Sequence, residues 1–170
     1  MSEHPSITRF RTELGRLEGR PVEAGRIVVL PDSVHTAQLA ADALGCEVGA
    51  IANSLLFAAQ PSDGTGDGTD DEPVLILTSG AHRVDTDKVA ADIGVQRLKR
   101  AKPEFVRRHT GQVIGGVSPI AHPTRIRTFL DPTLREHDVV WAAAGHPAAV
   151  FSSTYDELKA MTGADEIEVS

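Results

Sequence analysis

Cysteine is almost missing from this chain, Cys46 being the only one. No intrachain disulfide can form, and a reducing compartment is the natural setting. Cys46 lies just past an expected helix end beside Glu47, which does nothing to lower its pKa, so it reads as a packed thiol rather than a nucleophile. Long apolar runs are absent too, and none approaches the roughly 20 residues of a membrane span. The opening Met-Ser-Glu-His-Pro has neither the basic start nor the apolar core of a leader. A cytoplasmic protein is expected. The seven histidines are scattered, with no His-x-x-His, no Cys-x-x-Cys and no His-Glu pairing on a helix, so no metal is expected. A Walker A loop, a dinucleotide fingerprint and a Gly-x-Ser-x-Gly elbow are also lacking, and no cofactor is called for. Positive charge is in deficit overall. A net charge of −7 argues against a protein that coats nucleic acid nonspecifically.

What is present fits one ordinary domain of 170 residues, 41% hydrophobic and 24% charged. Apolar spacing predicts helices over 7–18, with Ser6 as cap and Gly19 as stop, and over 33–44, with Ser33 as cap and Gly45 just past the end. Further helices are expected from Asp85 to Ile93, over 103–110 with Pro103 in the first turn, and over 155–161 behind a capping box at Thr154–Glu157. Strands are expected at 26–30, 54–59, 74–77, 95–100, 127–130, 139–144, 148–151 and 166–169. The run Val74–Leu77 is apolar throughout, as in a strand buried on both faces. Residues 60–72 hold no large apolar side chain and read as a mobile acidic loop, and Thr78–Arg83 as a loop at a strand end. Without strict βαβ alternation, this order favours an α+β fold with a mixed or antiparallel sheet.

The chemistry gathers around one stretch. Gly111 to Pro123 packs three glycines, two prolines, Ser118 and His122 into thirteen residues, which suits neither a helix nor a central strand. Gly115 and Gly116 can turn successive N–H groups inward, a concave donor site for an anion or a carbonyl oxygen; a tight loop that binds nothing is the plain alternative. Residues 97–108 carry six basic groups and one acid, a local +5 against −12 for the rest. Arg97, Lys99, Arg100, Lys102, Arg107 and Arg108 lie before the loop, and Arg125 and Arg127 after it. This is either a solvated helix face or a phosphate-facing patch. Ser79, His82 and Asp85 are triad residue types, but three apart in one loop and without an elbow they are disfavoured as one. What remains is a set of small polar groups at strand ends and turns: Asn53-Ser54, Ser79-Gly80 with His82, Gly115-Gly116-Val117-Ser118 and Gly145-His146. Such a set suits a shallow pocket that fixes an acyl group by hydrogen bonds.

The order of residues 44–57 (Leu-Gly-Cys-Glu-Val-Gly-Ala-Ile-Ala-Asn-Ser-Leu-Leu-Phe), 74–85 (Val-Leu-Ile-Leu-Thr-Ser-Gly-Ala-His-Arg-Val-Asp), 115–119 (Gly-Gly-Val-Ser-Pro) and 140–146 (Val-Trp-Ala-Ala-Ala-Gly-His) resembles the YbaK family. These are aminoacyl-tRNA deacylases related to the editing domain of bacterial prolyl-tRNA synthetases. The resemblance covers roughly residues 25–165. It implies a single α+β domain on a mixed, barrel-like sheet covered by helices, with 1–24 as an N-terminal helical extension and 25–170 as the editing domain. It implies a pocket for the aminoacyl-adenosine end of a mischarged tRNA, whose ester is hydrolysed. Gly115, Gly116, Ser118 and Pro119 match the family's glycine-rich loop, Gly145 and His146 a second loop on the rim, and Ser54 a small polar pocket residue. The family lysine before that serine, in a motif like Ala-Lys-Ser-Leu, is here Asn53, a neutral amide in place of a charge.

On this reading Asn53, Gly115, Gly116 and Ser118 form the catalytic set, and Ser54, Ser79, His82, His122, Gly145 and His146 bind substrate. The basic residues meet the acceptor end of the tRNA, and contact with an aminoacyl-tRNA synthetase or a translation factor is a further expectation. Because Asn53 replaces the lysine, the alternative is a non-catalytic module of the same fold that binds an acyl or nucleotide ligand or a protein.

Overall fold

A computed structural model of the chain describes residues 3–16, 27–31, 36–61 and 71–170. Within these, α1 (Pro5–Arg16) precedes β1 (Ile27–Val29), α2 (Ala37–Leu44) and a short 3₁₀ turn at Val48–Ala50. β2 (Ile51–Pro61), β3 (Glu72–Ser79), α3 (Thr86–Ile93), β4 (Val95–Arg100) and α4 (Pro103–Thr110) follow. The chain continues through β5 (Arg127–Leu130), a 3₁₀ turn at Pro132–Glu136, β6 (Val140–Ala143), β7 (Ala149–Ser153), α5 (Tyr155–Thr162) and β8 (Asp165–Glu166).

The α+β expectation holds, with an open sheet rather than a closed barrel. Its order is β1-β7-β6-β2-β3-β5-β8, and β4 also pairs with β2. Pairing is mixed: β2 runs antiparallel to β3 and β4 but parallel to β6, and β3 runs parallel to β5. Strand side chains alternate between faces, and the core follows that alternation. Ala52, Leu56, Leu75 and Leu77 face a cluster with Ile7, Phe10 and Leu14 of α1, Val106 of α4 and Leu158 of α5. Phe57, Ala59, Val74 and Ile76 face Val89, Ala90 and Ile93 of α3, while Ile51 meets Ala40 and Ala41 of α2. Helices on both faces account for the unbroken apolar run of β3, where Leu75, Ile76 and Leu77 have no exposed surface.

Several boundaries move for physical reasons. Helix α1 starts at Pro5, suited to a first turn, and His4 rather than Ser6 caps it, its Nδ1 accepting the Ser6 N–H at 3.1 Å. Thr36 caps α2 through the Leu39 N–H; Ser33, Val34, Gly19 and Arg26 lie outside the described residues. β2 begins at Ile51, three residues before the expected Ser54, and runs on to Pro61. The acidic segment is shorter than 60–72. Gln60 and Pro61 belong to β2 and Glu72 to β3, Asp71 pairs with Lys99 at 3.1 Å, and 62–70 lie outside the described residues. Thr78 and Ser79 are strand, not loop. The last three expected strands become Val140–Ala143, Ala149–Ser153 and only Asp165–Glu166.

Candidate active site

One edge of β2 changes neighbours along its length. β6 pairs with Ile51 and Ala52, and β4 pairs from Phe57 onward, with the Ala101 N–H reaching the Leu56 carbonyl. Asn53, Ser54 and Leu55 therefore have no strand beside them on that edge. A cleft of about 800 Å³ opens at this split. Its wall takes in Asn53, Ser54, His82, Arg83, Arg100, Ile114 and Gly115, with Thr36, Ala37 and Thr86 from the first turns of α2 and α3. The apolar lining comes from Leu56, Ala101, Val106, Val117, Trp141 and Ala142, among others. Among the described residues no carboxylate lines it, whereas Arg83 and Arg100 both do. In a molecule of net charge −7, this hollow is cationic.

Two buried hydroxyls, Ser54 Oγ in the cleft wall and Thr78 Oγ1 on the neighbouring strand, find no hydrogen-bond partner among the described residues. Asn53 stands opposite Thr78 in the β2–β3 ladder, and Ser54 opposite Leu77, so the two polar side chains of β2 point to opposite faces at the split. A buried unpaired hydroxyl costs about 1–3 kcal/mol. In the wall of a cleft, the Ser54 hydroxyl marks a place where a ligand or water completes the bonding.

The glycine-rich stretch forms the facing wall. Gly116 is buried against the 145–147 turn, and a Cβ there would lie 2.6 Å from the ring and nitrogen of Pro147. Gly145 has φ +94, and its Cβ would lie 2.6 Å from the Ser6 carbonyl of α1. The His146 ring lies 4.6 Å from that of His4, and its Nδ1 accepts the Ala148 N–H at 3.0 Å. Helix α1 thus braces the rim.

Ser118 is placed differently from the glycines. It has no exposed surface and does not line the cleft. Its N–H donates to Gln112 Oε1 at 2.7 Å, its Oγ accepts from Gln112 Nε2 at 3.0 Å, and its hydroxyl donates to the Ile120 carbonyl. Gln112, itself buried, staples the loop. Sequence reasoning missed it, because a lone glutamine among glycines carries no pattern. His122 lines a separate groove of about 480 Å³ with Arg125. Its Nε2–H donates to the Ser118 carbonyl at 2.8 Å, and burial pushes its pKa below the ordinary histidine value against the pull of that bond. Ser79 donates its hydroxyl to the Gly49 carbonyl at 2.8 Å.

No Ser79-His82-Asp85 triad exists. Asp85 caps α3 through the Lys88 N–H, and the carboxylate beside His82 is Asp131, 2.9 Å from Nδ1. Asp131 was also missed, being far from His82 in sequence. Cys46 sits at the edge of the α2 cluster, and burial raises its pKa, consistent with an inert thiol. Of the basic residues, Arg97, Lys99 and Arg100 lie on β4, Lys102 precedes α4 without a side-chain capping bond, and Arg107 and Arg108 lie in the last turn of that helix. Arg127 lies on β5, separated from β4 by β2 and β3, and stacks over Phe129 at 5.0 Å. The sheet does not join the two basic groups into one stripe.

A cationic, hydrogen-bonding cleft of this kind suits an anionic ligand carrying a small acyl group. The comparisons agree on the class. Residues 31–161 match the family described as the aminoacyl-tRNA editing domain, and the chain belongs to that family. It is 30% identical over 128 residues to the uncharacterized protein YwhH of Bacillus subtilis, covering 74% of each. It is also 30% identical over 101 residues to proline–tRNA ligase of Limosilactobacillus fermentum, of which the match spans only 17%. A solved structure described as a candidate trans-editing enzyme for prolyl-tRNA synthetase superposes with a TM-score of 0.85 at 38% identity over 99% of both chains.

Proposed function

We propose that this chain is a free-standing, cytoplasmic trans-editing hydrolase that removes the amino acid from mischarged tRNA by hydrolysing its ester at the 3′ end. The observation that carries this reading is the cleft at the split edge of β2, lined by Arg83 and Arg100 and, among the described residues, by no carboxylate. The phosphate on the 5′ side of the terminal adenosine of a tRNA suits such a hollow, and the apolar lining suits a small aminoacyl side chain. An aminoacyl ester is already activated, so orientation and electrostatic stabilisation do most of what is needed. Asn53 and the Gly115–Gly116 backbone hold the ester, Ser54 offers its unpaired hydroxyl, and Ser118 acts by keeping the loop in shape. The Gly145–His146 turn, braced by the N-terminal extension, forms the rim of the editing domain at 25–170. Arg97, Arg100, Lys102, Arg107 and Arg108 meet the acceptor stem.

Asn53 favours one second reading. A neutral amide where the family carries lysine suits a module that binds an acyl or nucleotide ligand, or a protein, without turnover. Purified protein incubated with a panel of correctly and wrongly charged tRNAs separates the two. Release of one amino acid from a mismatched tRNA supports the hydrolase. Saturable binding with no release from any tRNA supports the module.

A further inference from the structure

The parallel strands β3 and β5 end side by side, Leu77 opposite Leu130, and the Asp131 N–H bonds the Leu77 carbonyl. This pairing carries two residues 49 positions apart to one spot. Asp131 is 1% exposed and accepts four hydrogen bonds. Its Oδ1 takes the Thr133 N–H at 3.0 Å and the Thr133 hydroxyl at 2.8 Å. Its Oδ2 takes the Ser79 N–H at 3.0 Å and faces His82 Nδ1 at 2.9 Å. A carboxylate filled by donors on every side requires the ring to donate as well, so Nδ1 carries the hydrogen and Nε2 is left with its lone pair. The His82 side chain is 30% exposed and lies in the cleft wall beside Arg83. Gly49 and His137 lie behind the same strand end at Ser79, with Glu47 beyond. A histidine oriented through one ring nitrogen by a buried carboxylate, its part-exposed ring in the wall of a cleft, is the arrangement of a proton acceptor.

We propose that His82 is the general base and acid of the cleft, with Asp131 as the residue that positions it. This rests on the deacylase reading above. Water attacks the ester carbonyl carbon, forming the new C–O bond as His82 Nε2 takes its proton. When the tetrahedral adduct collapses, the bond from carbon to the ribose oxygen breaks, and Nε2 returns the proton to that oxygen. A free amino acid and an uncharged tRNA leave, and the imidazole is neutral again. No second reactant is required. The base also explains how a site without the family's lysine can act: His82 supplies proton transfer, while Asn53 and the loop need only hold the substrate.

The test is His82→Asn, whose side-chain amide N–H replaces Nδ1–H toward Asp131 but provides no base. With the mischarged tRNA that the wild type hydrolyses, kcat should fall on the order of 10²–10⁴-fold with KM nearly unchanged. Unchanged kcat would overturn the base while leaving the deacylase standing. A rise in KM alone would overturn it too, making His82 a binding residue. If the wild type hydrolyses no charged tRNA, the deacylase reading fails and takes this inference with it. Nitrogen NMR of the histidine rings gives an answer independent of turnover. His82 should be the tautomer protonated on Nδ1, and protonation on Nε2 alone would contradict the proposal.

Discussion

At the scale of single residues, the loop's three polar side chains, Gln112, Ser118 and His122, bond within the loop itself. Gln112 fills the hydrogen-bonding needs of Ser118 and also reaches the Ala121 carbonyl at 3.4 Å, where Ala121 holds φ 70. Gln112→Leu leaves the buried Ser118 N–H without a partner and should cost about 1–3 kcal/mol in chemical denaturation. His122 ties the stability of this segment to pH. Its folded pKa is lowered, chiefly by desolvation, so below the ordinary value near 6.5 the unfolded chain binds more protons than the folded one. Stability should therefore decline as pH falls through that value toward the folded pKa, and His122→Gln should remove that part of the decline in thermal unfolding. The residue types of the cleft were legible in the sequence: Asn53, Ser54, His82 and Gly115 all line it. Their partners were not, because Asp131 and Gln112 matter through a contact that no local pattern encodes.

At the scale of elements, helices announced themselves and strand ends did not. Helices α3 and α4 end at Ile93 and Thr110 as expected, closed by Gly94 and Gly111 in the left-handed region, and α5 starts behind the expected cap at Thr154. The expected strand starts at Ser54 rather than Ile51 because Ala52 and Asn53 lack the apolar signature of a strand, and they stand where the sheet splits. Helix α1 carries more than its own turn: Phe10 is fully buried with its ring 4.8 Å from Phe151, and Ser6 backs Gly145. Phe10→Ala should cost about 3–5 kcal/mol and loosen the rim with it. Gly116→Ala forces the loop away from Pro147. It should abolish hydrolysis while circular dichroism stays close to wild type, and wild-type turnover would remove this loop from the mechanism.

At the scale of the whole molecule, charge is sorted rather than merely unbalanced. The 97–108 segment is +5 within a chain of −7, and its Arg100 reaches the cleft. Binding of tRNA through these groups should weaken steeply as salt rises, because each phosphate contact releases counterions. Replacing Arg107 and Arg108 by Gln should flatten that slope by about two contacts, whereas replacing Arg127, on the far side of the sheet, should change it less. The account stands most directly on one measurement: release of amino acid from mischarged tRNA by the wild type and by Asn53→Lys, side by side. It predicts hydrolysis by the wild type, and a gain on the order of 10² from the added charge where the amide limits the rate. Activity confined to the lysine variant, or silence from both, would contradict a working deacylase and leave a binding module in its place.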